Sequence, residues 1–238
     1  MTAEDKRTLD ASIAYAAKMG LTFEPYTQAI YSGRVAFDVL TKIVELVSKE
    51  NFARYLTEHV LAPCDMLDSG MIPTQGQWNR MIAMHDYRDG KAVMSPTVFG
   101  CVFEDYPCTH LMGGAGLFST LEDYAHFAEM LRMEGEWKGR RILSRESVRE
   151  MATPQVSVEQ YPGYRLWGLG VRVIVNEKYR IRPVGSYGWS GAYGTHFWVD
   201  PVNQVTAVYL KNSRYDGGSG ALTSQHFEED IHAAIENS

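Results

Sequence analysis

The stretch YGWSGAYGTHFWVDPVNQVTAVYL, residues 187–210, decides the fold of this chain. Residues 193–199 have the aromatic and β-branched composition of a strand, residues 200–203 form a turn, and residues 205–210 form the next strand. Upstream of this stretch, apolar residues alternate with others and predict one further strand that contains Leu169, Val171, Val173 and Val175. Residues 179–182 are predicted to follow it as another strand. The region therefore predicts an antiparallel meander.

Helical spacing of apolar residues dominates the rest of the chain. The predicted helices cover residues 7–19, residues 35–48, the segment from a cap at Asn51 to Pro63, and a closing helix at residues 222–236. Two more are predicted between these: one from a Ser119–Glu122 capping box to about Gly135, and a short one capped by Ser144. Residues 64–113 contain scattered glycines and prolines, and we interpret them as long loops with short strands.

This order of elements predicts an α+β fold in which helices flank an antiparallel sheet. The length of 238 residues suits one hydrophobic core. We expect a single domain over residues 1–238, with a helical and loop region at residues 20–160. The antiparallel strands and the C-terminal helix are expected at residues 161–238.

Charge and hydropathy argue against two classes of partner. The formal net charge is −6 and no basic block stands out, so nucleic-acid binding has little electrostatic support. No apolar run approaches the roughly 20 residues that a membrane span needs. Residues 1–7 are charged and do not resemble a secretory signal, which predicts a cytoplasmic protein if Met1 is the true start; the compartment is otherwise open.

Cysteine and histidine spacing predicts no metal site or cofactor. Cys64, Cys101 and Cys108 lack CxxC spacing, and we interpret them as thiols in a reducing compartment. A Cys101–Cys108 disulfide is the alternative, with metal binding a distant third. The seven histidines include no HExxH pair, and His126 and His196 are expected to be structural.

Two segments could carry chemistry. Tyr31-Ser32-Gly33 precedes a strong helix whose N-terminus lends positive potential; the alternative is a turn with an aromatic anchor. Residues 187–194 contain glycines that let the backbone approach a ligand, and N–H groups there could bind an oxyanion. The alternative for this segment is a bulged edge or a tight corner. Residues 113–116 are not a phosphate-binding loop, and no G-x-S-x-G elbow occurs.

Taken in order along the chain, these segments resemble motifs of the class C β-lactamase, D,D-peptidase and family VIII esterase group of serine hydrolases. Tyr31-Ser32-Gly33 resembles the second motif, Tyr-x-Asn, and Trp189-Ser190-Gly191 resembles the third, Lys/His/Trp-x-Gly. Further matching stretches lie at residues 61–66, 113–120, 139–144, 167–170 and 199–201. The resemblance implies a β-lactamase/transpeptidase-like fold with an additional helical region.

The resemblance also implies a mechanism. In this group the serine of a first motif, Ser-x-x-Lys, attacks a carbonyl carbon and forms an acyl-enzyme, and the lysine and the motif-two tyrosine share the proton transfers. Carried over by position, Tyr31 is the proton-relay base and the backbone N–H of Ala192 is one oxyanion donor. The implied substrate is a small ester, amide or β-lactam. The substrate-lining positions are Gly33, Trp189, Ser190 and Gly191.

The sequence departs from this pattern in three ways. Gly33 replaces the usual asparagine and has no side chain to bind substrate, while Trp189 replaces the usual cation and matches the esterase branch. No serine in the chain is followed by a lysine three residues later, and only thirty residues precede Tyr31. We therefore expect the nucleophile, its lysine and the first strands to lie outside this chain, which is expected to be inactive on its own.

Three interpretations stay open at this point: a truncated serine hydrolase, a non-catalytic ligand-binding module, and one half of a split enzyme that pairs with a separate N-terminal segment. Missing strands would expose a sheet edge and part of the core. Such surfaces invite pairing, so we expect self-association of the isolated chain.

Overall fold

The computed structural model describes residues 8–33, 35–95, 97–98, 101–102, 111–163 and 165–237. The chain divides into two compact units. The first consists of Met1–Ala83 and Ser95–Thr120, and the second consists of Met84–Met94 and Leu121–Ser238. The predicted single-domain organisation, with its division near residue 160, stays a prediction.

Helices and strands of the described residues follow one another in this order along the chain. The helices are α1 (Leu9–Met19), α2 (Val35–Ser48), α3 (Phe52–Leu56), α4 (Gln75–Trp78), α5 (Leu121–Arg132), α6 (Arg145–Met151) and α7 (Leu222–Glu236). A π-helical turn, Thr57–Leu61, continues α3. The strands are β1 (His85–Arg88), β2 (Lys91–Met94), β3 (Thr97–Val98), β4 (Cys101–Val102), β5 (Glu136–Trp137), β6 (Arg140–Arg141), β7 (Arg165–Trp167), β8 (Arg172–Ile174), β9 (Tyr187–Ser190), β10 (His196–Asp200) and β11 (Val205–Tyr209).

The first unit is built mainly from helices. Helix α3 begins at the predicted cap, because the Asn51 side chain accepts hydrogen bonds from the backbone N–H groups of Ala53 and Arg54. Leu9 of α1 packs with Met71 and other apolar residues in a small buried cluster, which ties α1 to α3. The buried members of this cluster are Leu9, Met71 and Leu111.

Helix α2 is amphipathic, but much of its apolar side is exposed. Leu46 and Val47 are 67% and 79% exposed. The buried residues of α2 are Asp38 and Thr41, and the Asp38 carboxylate accepts a hydrogen bond of 2.8 Å from the Gly113 N–H. An apolar helical stripe normally packs against further protein. The expected self-association of the isolated chain stays a prediction.

The second unit contains a five-stranded antiparallel sheet in the order β11-β10-β9-β8-β7. Helix α5 packs on one face, where the rings of Tyr124 and Phe127 meet Phe197. Helix α7 packs on the other face, where Phe227 meets Trp198 with ring centroids 5.6 Å apart. All residues of β10 are buried as a result. The predicted α+β fold, with helices flanking an antiparallel sheet, is confirmed.

The strand predicted through residues 169–175 is confirmed only at Arg172–Ile174, which form β8. Leu169 and Val171 lie instead in the turn that joins β7 to β8, in which Gly170 has a φ of 78°. Gly168 lies so close to helix α6 that a Cβ on it would sit 2.2 Å from the Met151 carbonyl oxygen. The chain must therefore turn at these glycines, although the alternation of apolar residues continues across them.

Two further strand predictions need correction. Residues 179–182 form no strand; the side chains of Tyr179 and Arg182 instead reach Glu228 of α7. The strand predicted from residue 193 begins at His196, because a tight turn precedes it, and its closing Gly194 has a φ of 90°.

Two other findings bear on the sequence predictions. Within the described ranges, no helix has the length and hydropathy needed to cross a lipid bilayer. Cys64 is buried. The side chain of Cys101 and the whole of Cys108 lie outside the described residues, as does the alternative disulfide between them.

Candidate active site

Tyr31 and Gly33 lie together in the loop that leads into α2. The Tyr31 side chain is 45% exposed. Its ring lies over the backbone of Gly33, since a Cβ at Gly33 would sit 3.1 Å from Tyr31 Cε1 and 3.3 Å from the phenol oxygen. The absence of a side chain at Gly33 therefore lets the phenol adopt this position.

Strand β9 carries Trp189 and Ser190 at its end. Gly188 precedes them and faces β10, where a Cβ would lie 2.1 Å from the Phe197 carbonyl oxygen. Gly191 follows them, and a Cβ there would lie 2.3 Å from Thr195 Oγ1. At Gly188 the close atoms belong to the backbone of β10, so only glycine fits and the strand that carries the third-motif residues is held tightly against its neighbour. At Gly191 the close atom is the Thr195 side-chain hydroxyl.

A tight turn follows β9 and exposes one backbone donor. The Gly191 N–H donates to the Thr195 carbonyl at 2.7 Å, and the Gly194 N–H donates to the Gly191 carbonyl at 2.9 Å. Ala192 lies between them and is exposed. Among the residues that the structure describes, none accepts a hydrogen bond from the Ala192 N–H. A backbone donor in a turn that has no acceptor in the described part of the chain can bind an oxyanion.

Trp189 is packed in an aromatic and cationic cluster. Its ring centroid lies 4.7 Å from that of Trp167. The Arg172 guanidinium lies 5.8 Å from the Trp189 ring and 5.0 Å from the Trp167 and Tyr161 rings. A surface pocket of about 270 Å³ adjoins this cluster and is lined by Tyr161, Pro162, Gly163, Arg165 and Arg172.

Ser190 is the outer member of a hydrogen-bonded array. It lies opposite His196 in the β9–β10 ladder, so both side chains project from the face that α7 covers. Ser190 Oγ is 2.6 Å from His196 Nδ1, and His196 Nε2 is 2.7 Å from Glu228 Oε1. The side chains of His196 and Glu228 are only 5% and 4% exposed, whereas Ser190 is half-buried.

Glu228 is an ionised carboxylate at the inner end of this array. Burial raises the pKa of the Glu228 carboxyl, but the hydrogen bond with His196, the charge of Arg182 and the hydrogen bond from Tyr179 outweigh burial and hold that pKa below its usual range. Arg182 Nε lies 3.1 Å from Glu228 Oε2. Burial is the main cause that raises the pKa of Tyr179 to about 12, so its hydroxyl remains a neutral donor to Glu228.

The sequence did not single out Glu228, and it presented His196 as an ordinary strand residue. At the start of α7, Leu222 is 60% exposed, and the buried residues of the helix are Ser224 and Glu228. The pairing of Ser190 with His196 could have been found by counting the register across the glycine turn. No local sequence signal connects Glu228 with them.

The structure brings the predicted site residues together in two groups. Tyr31 and Gly33 belong to the first unit, and the third-motif residues with Ala192 belong to the second. Across the described part of the chain, no group of three or more His, Cys, Asp or Glu side chains is arranged to hold a metal ion. The individual catalytic and binding roles stay predictions.

A family model described as Beta-lactamase matches residues 1–226. The chain belongs to the Beta-lactamase family. This confirms the resemblance inferred from the ordered motifs and identifies the chain as a member of the superfamily of serine-hydrolase-type β-lactamases, esterases and peptidases.

Two curated proteins are similar in sequence to this Beta-lactamase family chain. Protein Rv1367c from Mycobacterium tuberculosis is 32% identical over 219 residues, covering 84% of this chain and 53% of the relative. Esterase EstB from Burkholderia gladioli is 26% identical over 234 residues, covering 90% of this chain and 57% of the relative. The chain thus spans about half the length of the curated relatives it matches.

A solved structure supports the fold of the Beta-lactamase family chain. EstCE1, described as a hydrolase with promiscuous acyltransferase activity, superposes with a TM-score of 0.77 at 21% identity, over 96% of this chain and 61% of EstCE1. At this identity the similarity shows the fold alone, and it confirms the predicted β-lactamase/transpeptidase-like architecture.

Proposed function

We propose that this chain forms the tyrosine-bearing and third-motif part of an acyl-transfer serine hydrolase that acts on a small ester, amide or β-lactam. In this proposal Tyr31 relays protons, the Ala192 N–H stabilises the oxyanion, and the remaining predicted positions line the substrate site. These positions are Gly33, Trp189, Ser190 and Gly191.

The observation that carries the proposal is the turn after β9. Two close-packed glycines fix its entry, and the exposed Ala192 N–H has no acceptor among the described residues. A pre-positioned donor acts where negative charge develops on a carbonyl oxygen, and removal of one such donor typically costs about 10²–10³-fold in turnover. An acyl transfer that passes through a tetrahedral intermediate is the chemistry that uses such a donor.

The nucleophile of this proposal is a serine in a Ser-x-x-Lys motif outside residues 1–238. No serine within the chain has a lysine three positions later. A tyrosine has an ordinary pKa of about 10 and needs a neighbouring cation to act as a base at neutral pH. The chain alone is therefore expected to lack acyl-transfer activity.

Kinetics with an activated ester test both parts of the proposal. The isolated chain should release no burst of nitrophenol from p-nitrophenyl butyrate, while a longer gene product that includes Ser-x-x-Lys should release one. In the longer protein, Ala192→Pro removes the N–H and should lower kcat about 10²–10³-fold. Ala192→Gly keeps the N–H and is the matched control. Equal activity of Ala192→Pro and Ala192→Gly would contradict the oxyanion role.

An ester substrate is favoured over a carboxylate-bearing one. Trp189 occupies the position where a cation would meet a substrate carboxylate, and the relative from Burkholderia gladioli is named an esterase. Comparison of p-nitrophenyl butyrate with a penicillin at equal concentration would test this preference in the longer protein.

A non-catalytic binding module is the second candidate function. The lack of a Ser-x-x-Lys motif in a chain that keeps a tightly built third-motif strand favours it. This alternative requires that the longer gene product binds a small acyl ligand in a calorimeter without turning it over. The split-enzyme alternative requires a separate N-terminal chain, which native mass determination would detect.

A further inference from the structure

The direction of the Ala192 N–H is set by the peptide unit that it shares with the Gly191 carbonyl. A trans peptide unit is planar, so its C=O and N–H groups point in opposite directions. The Gly191 carbonyl accepts a hydrogen bond of 2.9 Å from the Gly194 N–H. The backbone of Gly194 therefore orients this peptide unit, and any group that holds Gly194 in place also aims the Ala192 N–H.

The side chain of Lys211 lies directly against Gly194. Lys211 lies just after strand β11, and a Cβ on Gly194 would sit 2.3 Å from Lys211 Cε and 3.0 Å from Lys211 Nζ. Gly194 is buried, and its φ of 90° is one that other residues rarely adopt. The aliphatic stem of this lysine thus supports the turn at the residue whose N–H orients the peptide unit.

The ammonium group of Lys211 is held by two side chains. Its Nζ donates to Asp216 Oδ1 and, at 3.2 Å, to Thr223 Oγ1. The other carboxylate oxygen, Asp216 Oδ2, accepts from the Thr223 hydroxyl at 2.6 Å and from the Thr223 backbone N–H at 2.8 Å. The three residues form a closed network that fixes the far end of the lysine side chain.

Asp216 is ionised in this network. Burial raises the pKa of the Asp216 carboxyl, but the hydrogen bonds from Lys211 and Thr223 outweigh burial and hold that pKa well below its usual range. An ammonium and a backbone N–H can only donate, and an ionised carboxylate can only accept, so the directions of these hydrogen bonds are fixed. The side chains of Lys211 and Asp216 are only 13% and 9% exposed, so water screens this ion pair less than a surface pair.

The loop between Lys211 and α7 packs against the same turn. A Cβ on Gly218 would sit 2.3 Å from the Ala192 carbonyl oxygen. Ser219 Oγ donates to the Ser190 carbonyl at 3.4 Å. All of these groups lie within the second unit. The turn that carries the donor is therefore contacted both by the lysine side chain and by the loop that this lysine begins.

We propose that Lys211 is a positioning residue for the oxyanion donor. Its side chain supports Gly194 and thereby aims the Ala192 N–H, while Asp216 and Thr223 hold that side chain in place. The inference rests on the proposed function, in which the Ala192 N–H stabilises the oxyanion. It goes further because it gives a role in acyl transfer to an ion pair outside every motif found in the sequence. The alternative is that this ion pair only holds the first turn of α7.

Hydrogen exchange of this chain, followed by NMR, tests the support of the turn. Lys211→Met keeps an apolar stem but removes the ammonium, so exchange of the Gly194 N–H should become about tenfold faster relative to the amides of β10. Lys178→Met replaces an exposed lysine elsewhere in the second unit and is the matched control. If the ion pair only holds α7, Lys211→Met would lower stability without a selective change at Gly194, and the inference would be overturned.

Kinetics of the longer gene product with p-nitrophenyl butyrate test whether this support affects the chemistry. Lys211→Met should lower kcat about 10- to 10²-fold and leave KM within about twofold, because a misdirected donor weakens binding of the transition state alone. Lys178→Met should change neither quantity. An unchanged kcat, or an effect confined to KM, would contradict the positioning role.

A double-mutant cycle separates positioning from a general loss of stability. Ala192→Pro has no N–H to aim, so Lys211→Met should lower kcat by less than about twofold further in that background. Equal losses of kcat in the presence and absence of the Ala192 N–H would show that Lys211 does not act through this donor.

Thr223→Val provides the test if Lys211→Met does not fold. Valine keeps the shape of threonine but lacks the hydroxyl that contacts both Lys211 and Asp216. The turnover number kcat should fall about two- to tenfold with little change in KM. Full activity of a folded Thr223→Val would then count against the inference.

The proposed function and this inference fail in different experiments. Equal activity of Ala192→Pro and Ala192→Gly would remove the oxyanion role, and the positioning role of Lys211 with it. A loss of activity in Ala192→Pro together with full activity in Lys211→Met would remove the inference alone.

Discussion

Replacement of Glu228 by glutamine removes one charge from the most buried ionic cluster of the second unit. The Glu228 side chain is 4% exposed and the Arg182 side chain is 6% exposed. His196 and Tyr179 also hydrogen-bond this carboxylate. Glutamine preserves the volume of the side chain, so the substitution tests charge rather than packing.

The expected loss of stability follows from the buried cation that the substitution leaves unpaired. Glu228→Gln leaves the Arg182 guanidinium buried without its counter-charge. Removal of one partner of a buried ion pair typically destabilises a protein by about 3–5 kcal/mol. The neighbouring Glu229 is exposed, and Glu229→Gln should change the free energy of unfolding by less than about 0.5 kcal/mol.

Urea unfolding followed by tryptophan fluorescence measures this difference. The Arg182 guanidinium lies 5.3 Å from the Trp198 ring, so the emission of that residue reports on the cluster. The midpoint for Glu228→Gln should fall well below those of the wild type and Glu229→Gln. A midpoint indistinguishable from that of Glu229→Gln would refute the assignment of a charged, stabilising Glu228.

The contribution of Glu228 to the free energy of unfolding should depend on pH. The folded state lowers the pKa of Glu228, so its contribution is fully present above the ordinary glutamate pKa of about 4.3 and is lost as the pH falls through the lower folded value. Glu228→Gln should lack this part of the acid-induced loss. An identical slope of unfolding free energy below pH 4.5 in both proteins would contradict the assignment.

Three further perturbations follow from the structure. Gly188→Ala places a Cβ 2.1 Å from the Phe197 carbonyl oxygen and should lower the free energy of unfolding, measured by thermal melts, by about 2–3 kcal/mol or more. The control is Gly76→Ala, whose Cβ would have no atom within 4 Å and which should leave stability unchanged or raise it. Leu46→Lys, at a side chain 67% exposed, should reduce concentration-dependent association in sedimentation experiments without changing the unfolding free energy by more than about 0.5 kcal/mol; a wild type that stays monomeric would contradict this expectation. Gly33→Asn should displace the Tyr31 ring and shift its aromatic proton resonances, and unchanged resonances would show that the close approach of Tyr31 to Gly33 is not maintained in solution.

The elements that the sequence predicted most accurately have strong periodicity and clear boundaries. Helix α2 spans Val35–Ser48 and helix α7 spans Leu222–Glu236, both as expected. The strand predicted across residues 169–175 was too long at its start, because the alternation of apolar residues continues through the turn that precedes β8. The approach of Gly168 to Met151, which forces that turn, is a tertiary contact that alternation cannot encode.

In the candidate site too, some residues could be predicted from the sequence and others could not. The glycines of the third-motif strand indicated close backbone approach, and in the structure Gly188 lies against the backbone of Phe197. The Ser190–His196 pair follows from antiparallel register and was within reach of the sequence. Glu228 was not, because it joins the array through the packing of α7 on the sheet, 32 residues along the chain from His196.

The mass of the intact chain after incubation with p-nitrophenyl butyrate tests the central claim most directly. The account assigns the acyl-accepting serine to a Ser-x-x-Lys motif outside residues 1–238, so the mass of this chain should remain unchanged and no nitrophenol burst should appear. A stoichiometric butyryl adduct on any serine of the chain would contradict it.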